Sequence, residues 1–390
     1  MTKVPQWKHY SSRIWLAILA LAAFMLHFQL LTADAAGLRF DLRNEGPNRI
    51  DQGRMVRGYY QNLNETVEES RGGIPERIAD ILVAGKSAPQ WAGRLSSTGA
   101  SRTTKEGYLL SELIPGADVE HLGVPMTINR WGQRDRDYEL DKPVGTFRIA
   151  FIGSSNSMGW GVRLEEGFVE RLEVKLNAEL VGKGKSTHYE VINFSAPGYS
   201  APEFLYVAEE RAAKFNPDLI IIENCAEEVR FNITERVAAR FLKGRDLRYS
   251  YVREVVDSAG VSQQDELFRL KRRLMPLKQA LLTACYRHLG EWSRQVRIPV
   301  AVALLRLEVA PNIDPLLEWS ESVARDQELI PIRVFNAFAG GAPAAMYLAT
   351  EKDRHPSAKA HALLADDLYE QLLIEPQTCN LLLGGARAKE

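Results

Sequence analysis

Between Thr146 and Leu373 short apolar runs alternate with amphipathic stretches. Phe147–Ile152 is mostly apolar and ends at Gly153, the pattern of a strand covered on both faces. Leu164–Leu180 follows with Phe168, Leu172, Leu176 and Leu180 on one side, which predicts a helix. Tyr189–Phe194 reads as the next strand, ended by Pro197-Gly198, and Ala201–Lys214 as the next helix. Asn216-Pro217-Asp218 turns the chain into Leu219-Ile220-Ile221-Ile222, a run suited to a central strand. After a long, mostly helical stretch over 230–296, Ile298–Leu305 and Ile332–Phe338 read as strands. Pro315–Leu329 and His361–Leu373 read as helices. Strand, helix, strand at this spacing means right-handed βαβ units, hence an α/β fold with a parallel sheet.

The N-terminus follows a different rule. Lys3, Lys8 and Arg13 precede an unbroken apolar run from Ile14 to Leu26 that recovers at Leu30 and Leu31. The stretch spans roughly 18 residues, enough to cross a bilayer at about 1.5 Å per residue. Its flanking charges predict a cytoplasmic N-terminus and an exported remainder, in the periplasm of a bacterium. Ala33-Asp34-Ala35 also fits a signal-peptidase site, which would make the protein secreted. The length of the run favours a retained single-pass membrane anchor, and both alternatives export everything after about residue 35. The organisation expected is an anchor or signal segment over 1–36, an irregular stalk or cap over 37–125, a catalytic-type domain over 126–376 and a tail over 377–390.

Composition removes several function classes. The 390 residues carry 49 Lys+Arg against 50 Asp+Glu, so the basic excess needed to neutralise phosphates is absent and nucleic acid is no expected partner. Cys225, Cys285 and Cys379 are too few and too scattered for a disulfide scaffold or a zinc site. No phosphate loop, dinucleotide fingerprint or zinc-protease motif occurs, so no cofactor or metal is expected. Between Arg230 and Lys278, 12 basic side chains face 6 acidic ones, a bias suited either to a solvated helical face or to an anionic surface.

Three segments at predicted strand ends can carry chemistry, since ligands of open α/β sheets bind beyond the carboxyl ends of the strands. Gly153-Ser154-Ser155-Asn156-Ser157-Met158-Gly159 leads from strand to helix, where a serine can be both nucleophile and N–H donor. In Ala196-Pro197-Gly198-Tyr199, Gly198 can bring its N–H close to a ligand. Asp353-Arg354-His355-Pro356 supplies an imidazole with a carboxylate two residues away.

Together these segments resemble the SGNH/GDSL hydrolase family, in particular its membrane-anchored bacterial members. The resemblance runs from about Met126 to Leu373, with an insertion at about 230–290. Asn129-Arg130-Trp131-Gly132-Gln133-Arg134 is similar to the family's N-x-x-G-x-R lead-in. "FRIAFIGSSNSMGWGV", "VINFSAPGY" and "DRHPSAKAH" are similar to blocks one, two and last. The resemblance implies a three-layer α/β/α sandwich of flavodoxin-like topology. It assigns Ser155 as nucleophile, His355 as general base, Asp353 as its orienting acid, and the N–H groups of Ser155 and Gly198 as the oxyanion hole. Block one's aspartate is Ser154 here, and the block-three asparagine and aspartate fall on Glu227 and Glu228. An ionised Glu227 has no proton to donate to an oxyanion. Asn224 lies three residues earlier and supplies that amide only if the loop is displaced.

The activity implied is removal of acyl groups from an acylated carbohydrate or another small ester outside the cytoplasm. Two alternatives stay open: an O-acyltransferase acting on an envelope polysaccharide, and a catalytically degenerate fold used as a glycan-binding or assembly module. Elsewhere, Asp366 and Asp367 read as a solvated helix face, Cys225 as a small buried side chain, and His361 as a packing or capping residue. His288 shows no partner in the sequence.

Overall fold

The computed structural model describes residues 95–384 except 182–186, 227, 308–312 and 339–354. The apolar N-terminal segment and the block containing Asp353 lie outside the described residues, as does Glu227. Among the described residues no helix is long and apolar enough to cross a membrane.

Where the sequence pattern predicts an irregular region up to residue 125, the described part holds two antiparallel hairpins. They are β1 (Ser101–Thr103) with β2 (Ser111–Leu113), and β3 (Asp118–His121) with β4 (Val124–Thr127). Both pack on the body: Arg211 pairs with Glu112 of β2 at 2.8 Å, and Leu113 and Met126 are buried in the main core.

The α/β body begins at β5 (Thr146–Ile152), in which every residue is buried. Its alternation assigns each face. Phe147, Ile149 and Phe151 join one apolar cluster, whereas Ala150 and Ile152 join the other. After the short helix α1 (Ser155–Met158) comes α2 (Phe168–Leu176), whose Phe168, Leu172 and Leu176 cover the first face. The expected helix over Leu164–Leu180 is broken. Residues Leu164–Glu166 form a 3₁₀ turn, Gly167 interrupts at φ −63° and ψ 142°, and Asn177–Val181 form a π turn. Burial of Leu180 completes the face all the same.

β6 (His188–Asn193), α3 (Ala201–Glu210) and β7 (Leu219–Cys225) follow. The insertion folds as α4 (Ile233–Leu242), α5 (Ser250–Ser258), α6 (Leu267–Leu274) and α7 (Lys278–Val296). Leu281, Leu282 and Leu289 of α7 lie in the second cluster with Phe204 and Leu205 of α3. β8 (Val300–Leu305), α8 (Asp314–Asp326), β9 (Ile330–Val334) and α9 (Ala358–Ile374) close the domain. The expected tail from residue 377 instead starts as α10 (Pro376–Gly384): Leu382 is buried, and its carbonyl accepts the Tyr189 hydroxyl at 2.8 Å.

The five strands β5–β9 are all parallel, in the order β6-β5-β7-β8-β9. Helices cover both faces, giving the α/β/α arrangement. The order reverses at β5, so the loops leaving β5 and β7 diverge and open a crevice at their carboxyl ends, where such sheets bind ligands. The serine-rich turn leaves β5 at that point.

Glu228 shows how the crevice is held. It is buried, and its Oε1 accepts the Ser200 hydroxyl at 2.9 Å and the Ala201 N–H at 2.8 Å, capping α3 just beyond the Gly198 turn. Burial pushes its carboxyl up to about 8, with the Glu203 and Glu223 carboxylates adding to the rise. Folding therefore prefers the protonated form, and its contribution to stability falls as pH rises from about 4.5 to about 8. Glu228→Gln keeps an acceptor for both donors and removes this titration. Urea unfolding of the two proteins across that window is expected to show the variant gaining on the parent by up to about 1.4 kcal/mol per pH unit. Asp135 and Glu170, also pushed up by burial, to about 7 and about 9, are common to both proteins and drop out of the difference. A constant difference would contradict this reading of Glu228.

Candidate active site

Ser155 opens α1 directly after the Gly153-Ser154 turn, with Ser154 as the N-cap. Its Oγ lies 2.8 Å from Nε2 of His355, 200 positions later in the chain. The two side chains that the sequence resemblance assigns as nucleophile and base thus meet within hydrogen-bond distance. Both residues are largely enclosed, 8% and 7% exposed, so a developing charge there is poorly screened by water. His355 comes just before α9, whose N-cap Ser357 accepts the Ala360 N–H at 3.3 Å. The ring of His355 stacks on Trp160 at 5.4 Å and 28°, and Trp160 meets His121 of β3 edge-on at 4.5 Å. The β3–β4 hairpin therefore backs the wall behind the imidazole.

The second segment runs beside the first. The Phe194 N–H donates to Phe151 O at 2.7 Å, Ala196 N–H to Gly153 O at 3.2 Å, and Asn193 Nδ2 to Ser157 O at 2.9 Å. Tyr199 N–H closes a turn on Ala196 O at 3.3 Å. Pro197 and Gly198 occupy its centre and Gly198 has φ +72°, the conformation that makes glycine the favoured residue at the third position of a type II turn. Gly198 is thus carried alongside the serine turn on a hydrogen-bonded ladder.

The third strand end supplies a residue the sequence reading missed. Glu223, 2% exposed, reaches under the serine turn. Its carboxylate accepts the Ser154 N–H at 2.9 Å, the Ser154 hydroxyl at 2.7 Å, Asn156 Nδ2 at 3.3 Å and the Ser157 hydroxyl. A Cβ on Gly153 would overlap this carboxylate and the Ser157 side chain, so only glycine lets the two come together. A carboxylate, absent from the serine turn itself, thus reaches it from β7 beside Ser154.

Strand alternation also settles Asn224. Residues 219, 221, 223 and 225 face the serine turn and α2, so Asn224 faces the opposite side. There its amide donates to the Tyr286 hydroxyl of α7. It does not stand in for the missing block-three amide. Glu228, at the block-three aspartate position, is the α3 cap described above.

Two arginines complete the surroundings. Arg134, from the lead-in segment and 1% exposed, donates to the carbonyls of Met158 (3.2 Å), Gly159 and Val162 (2.6 Å), fastening the end of the α1 turn. Burial lowers its guanidinium to about 10, offset in part by Glu170 and Glu165. Arg236 of α4 brings Nη1 within 3.6 Å of where a Cβ on Gly198 would lie.

Other sequence readings fare unevenly. His361 packs on Phe168 (5.7 Å, 20°), and its Nδ1 accepts the Phe168 N–H at 3.2 Å, capping α2. Burial, with the neighbouring His355, Arg134 and Arg171 acting in the same direction, lowers it to about 3, so it stays neutral. Cys225 is buried, as expected. Asp366 lies on the surface, paired with Lys175 at 2.7 Å. Asp367 does not share that solvated face: it is buried and accepts the N–H groups of Asn336 (2.6 Å) and Ala337 (3.0 Å) just after β9. His288 has a partner, Glu209, at 2.6 Å. Among the described residues no group of three or more His, Cys, Asp or Glu is placed to hold a metal ion.

No family model and no curated protein matches the chain. Solved structures do. TesA is 17% identical over 58% of this chain and 97% of its own, with a TM-score of 0.36. Axe2, an acetylxylan esterase from Geobacillus stearothermophilus, is 16% identical over 58% and 93%, with a TM-score of 0.38. The psychrotrophic esterase EstA from Pseudoalteromonas sp. is 18% identical over 58% and 96%, with a TM-score of 0.35. These neighbours are SGNH/GDSL-type esterases. Likeness at this level carries no argument about chemistry, and the functional reading rests on the geometry of Ser155, His355, Gly198 and Glu223.

Glu223 gives the site its own test. Glu223→Ala leaves three buried donors without an acceptor, the Ser154 N–H and the Ser154 and Ser157 hydroxyls, at about 1–3 kcal/mol for each one that water cannot reach. Urea unfolding is expected to show a loss of about 3 kcal/mol or more. Glu223→Gln, which keeps one acceptor oxygen, is expected to lose less than half of that. Equal stability of Glu223→Ala and the parent would show that the carboxylate does not hold the serine turn.

Proposed function

We propose that the protein is an exported serine ester hydrolase of SGNH type, acting on acyl groups of a carbohydrate or another small ester. The observation that carries this reading is the 2.8 Å approach of Ser155 Oγ to His355 Nε2 at the carboxyl edge of the parallel sheet. Ser155 Oγ attacks the ester carbonyl carbon while His355 Nε2 takes its proton. The carbonyl electron pair moves onto oxygen, and the N–H groups of Ser155 and Gly198 receive the resulting charge. The C–O bond to the alcohol then breaks, and His355 returns the proton to the leaving alkoxide. Water, deprotonated by the same imidazole, attacks the acyl-serine and releases the acid. Asp353, two residues before His355 in the sequence, is proposed as the carboxylate that orients the imidazole. The N-terminal apolar segment delivers the domain outside the cytoplasm and tethers it to the membrane.

A nucleophile held against a base favours a working site over a degenerate binding module, in which nothing maintains that pair. Incubation with a fluorophosphonate probe, followed by peptide mass spectrometry, is expected to place the label on Ser155. Ser155→Ala is expected to abolish labelling. His355→Ala is expected to slow both labelling and p-nitrophenyl acetate hydrolysis by at least about 10³-fold. Labelling that survives Ser155→Ala, or a parent that neither labels nor hydrolyses, would reject the reading.

A further inference from the structure

The reading above leaves the oxyanion with two backbone donors and no side-chain donor, because Asn224 faces away. Beside Gly198 the structure places a cation. Arg236 is 3% exposed, projects from the first helix of the insertion, and holds Nη1 at 3.6 Å from the Cβ position of Gly198. Its Nε donates to Glu203 Oε1 at 3.1 Å, and its Nη2 has no hydrogen-bond partner although buried. The Nη1 end of the guanidinium is thus the one turned to the Gly198 turn, while Nε holds Glu203.

The local charge points the same way. Glu203, fully buried, is shared by two arginines, since Arg240 Nη2 donates to the same oxygen at 2.6 Å. Burial alone would raise Glu203, but Arg236 and Arg240 together hold it below the usual carboxylate range. Glu228, the nearby carboxyl on the Ser200 side, is pushed up to about 8 by burial and stays largely uncharged at neutral pH. Arg240 has other work: it donates to Tyr108 O at 3.0 Å and lies over the Tyr108 ring at 3.9 Å, which docks the β1–β2 hairpin. Among these described groups two cations share one anion, and Arg236 stands at the edge of the Gly198 turn.

We infer that Arg236 is a further catalytic residue: its guanidinium donates to the oxyanion beside the Gly198 N–H, in the place of the absent block-three amide. The inference rests on the serine acyl-transfer reading. As the Ser155 Oγ–carbon bond forms, the carbonyl oxygen gains the π pair, and Arg236 supplies a charge-assisted hydrogen bond without giving up its proton. When the carbonyl re-forms and the alkoxide leaves with the proton from His355, that hydrogen bond weakens again. The charge on the insertion thereby acquires a purpose at one named atom, distinct from its basic outer surface.

The test uses the neutral ester p-nitrophenyl acetate, its carboxylate-bearing analogue p-nitrophenyl hemisuccinate, and the fluorophosphonate. Arg236→Met is expected to lower kcat on the neutral ester about 10²-fold with KM within twofold, and to slow phosphonylation of Ser155 equally. Arg236→Lys keeps the charge and the pairing with Glu203 but not the fork, and is expected to lose about 10-fold. That variant reads the same quantity if Arg236→Met does not fold. Added guanidinium ion is expected to restore part of the kcat of Arg236→Met, which a purely structural role would not allow. If the parent labels at Ser155 and both folded variants keep its kcat, the inference fails while the serine reading stands. A loss confined to KM on the hemisuccinate would also overturn it, making Arg236 a reader of substrate charge. A parent that does not label removes the serine reading and this inference with it.

Discussion

The proposed chemistry depends on one hydrogen bond between side chains 200 residues apart. Ser155 and His355 can meet only because β5, with the serine turn at its end, sits near the middle of a parallel sheet whose last helix returns across its face. Loop closure over such a distance is unfavourable in chain entropy, and apolar burial on both faces of the sheet offsets it. Phe147, Ile149 and Phe151 on one side and Ala150 and Ile152 on the other fix the strand beneath the serine. The serine turn has its own support. A carboxylate from the neighbouring strand collects the donors of Ser154, Asn156 and Ser157, and a buried guanidinium from the lead-in fastens its far end. Ser155 is thus held from two directions by the fold itself.

The electrostatics divide along the same lines. Beneath the serine turn lies the Glu223 carboxylate, which accepts the Ser154, Asn156 and Ser157 donors. On the Gly198 side lie Arg236 and Arg240, with Glu203 between them and Glu228 largely protonated. Under the proposed acyl transfer, the Arg236 guanidinium lies on the Gly198 side, where the carbonyl oxygen gains charge.

Much of this architecture was legible in the sequence, and the exceptions share a physical cause. Leu219–Ile222 announced a central strand because only a position buried on both faces tolerates four branched apolar residues in succession. The serine turn, Pro197-Gly198 and His355 were readable because turn chemistry is local. Glu223 was not, because it follows that apolar run with no motif around it, and its role exists only once β7 lies beside β5. Asn224 was read as a possible donor on chain spacing alone; the two-residue period of the strand turns it toward Tyr286. Asp367 reads as solvated and His288 as lacking a partner, because their partners, the loop after β9 and Glu209, come from distant segments. The helix expected over Leu164–Leu180 was right in its buried face and wrong in its continuity, since Gly167 breaks the backbone without disturbing the apolar stripe.

The most direct measurement is a crystal structure of the protein after reaction with a fluorophosphonate. The account expects phosphorus bonded to Ser155 Oγ, His355 Nε2 still within hydrogen-bond reach of it, and the phosphoryl oxygen turned toward the N–H groups of Ser155 and Gly198. An unmodified Ser155, or an adduct whose His355 ring lies elsewhere, would mean that the pairing at the sheet edge is a packing contact without a chemical role.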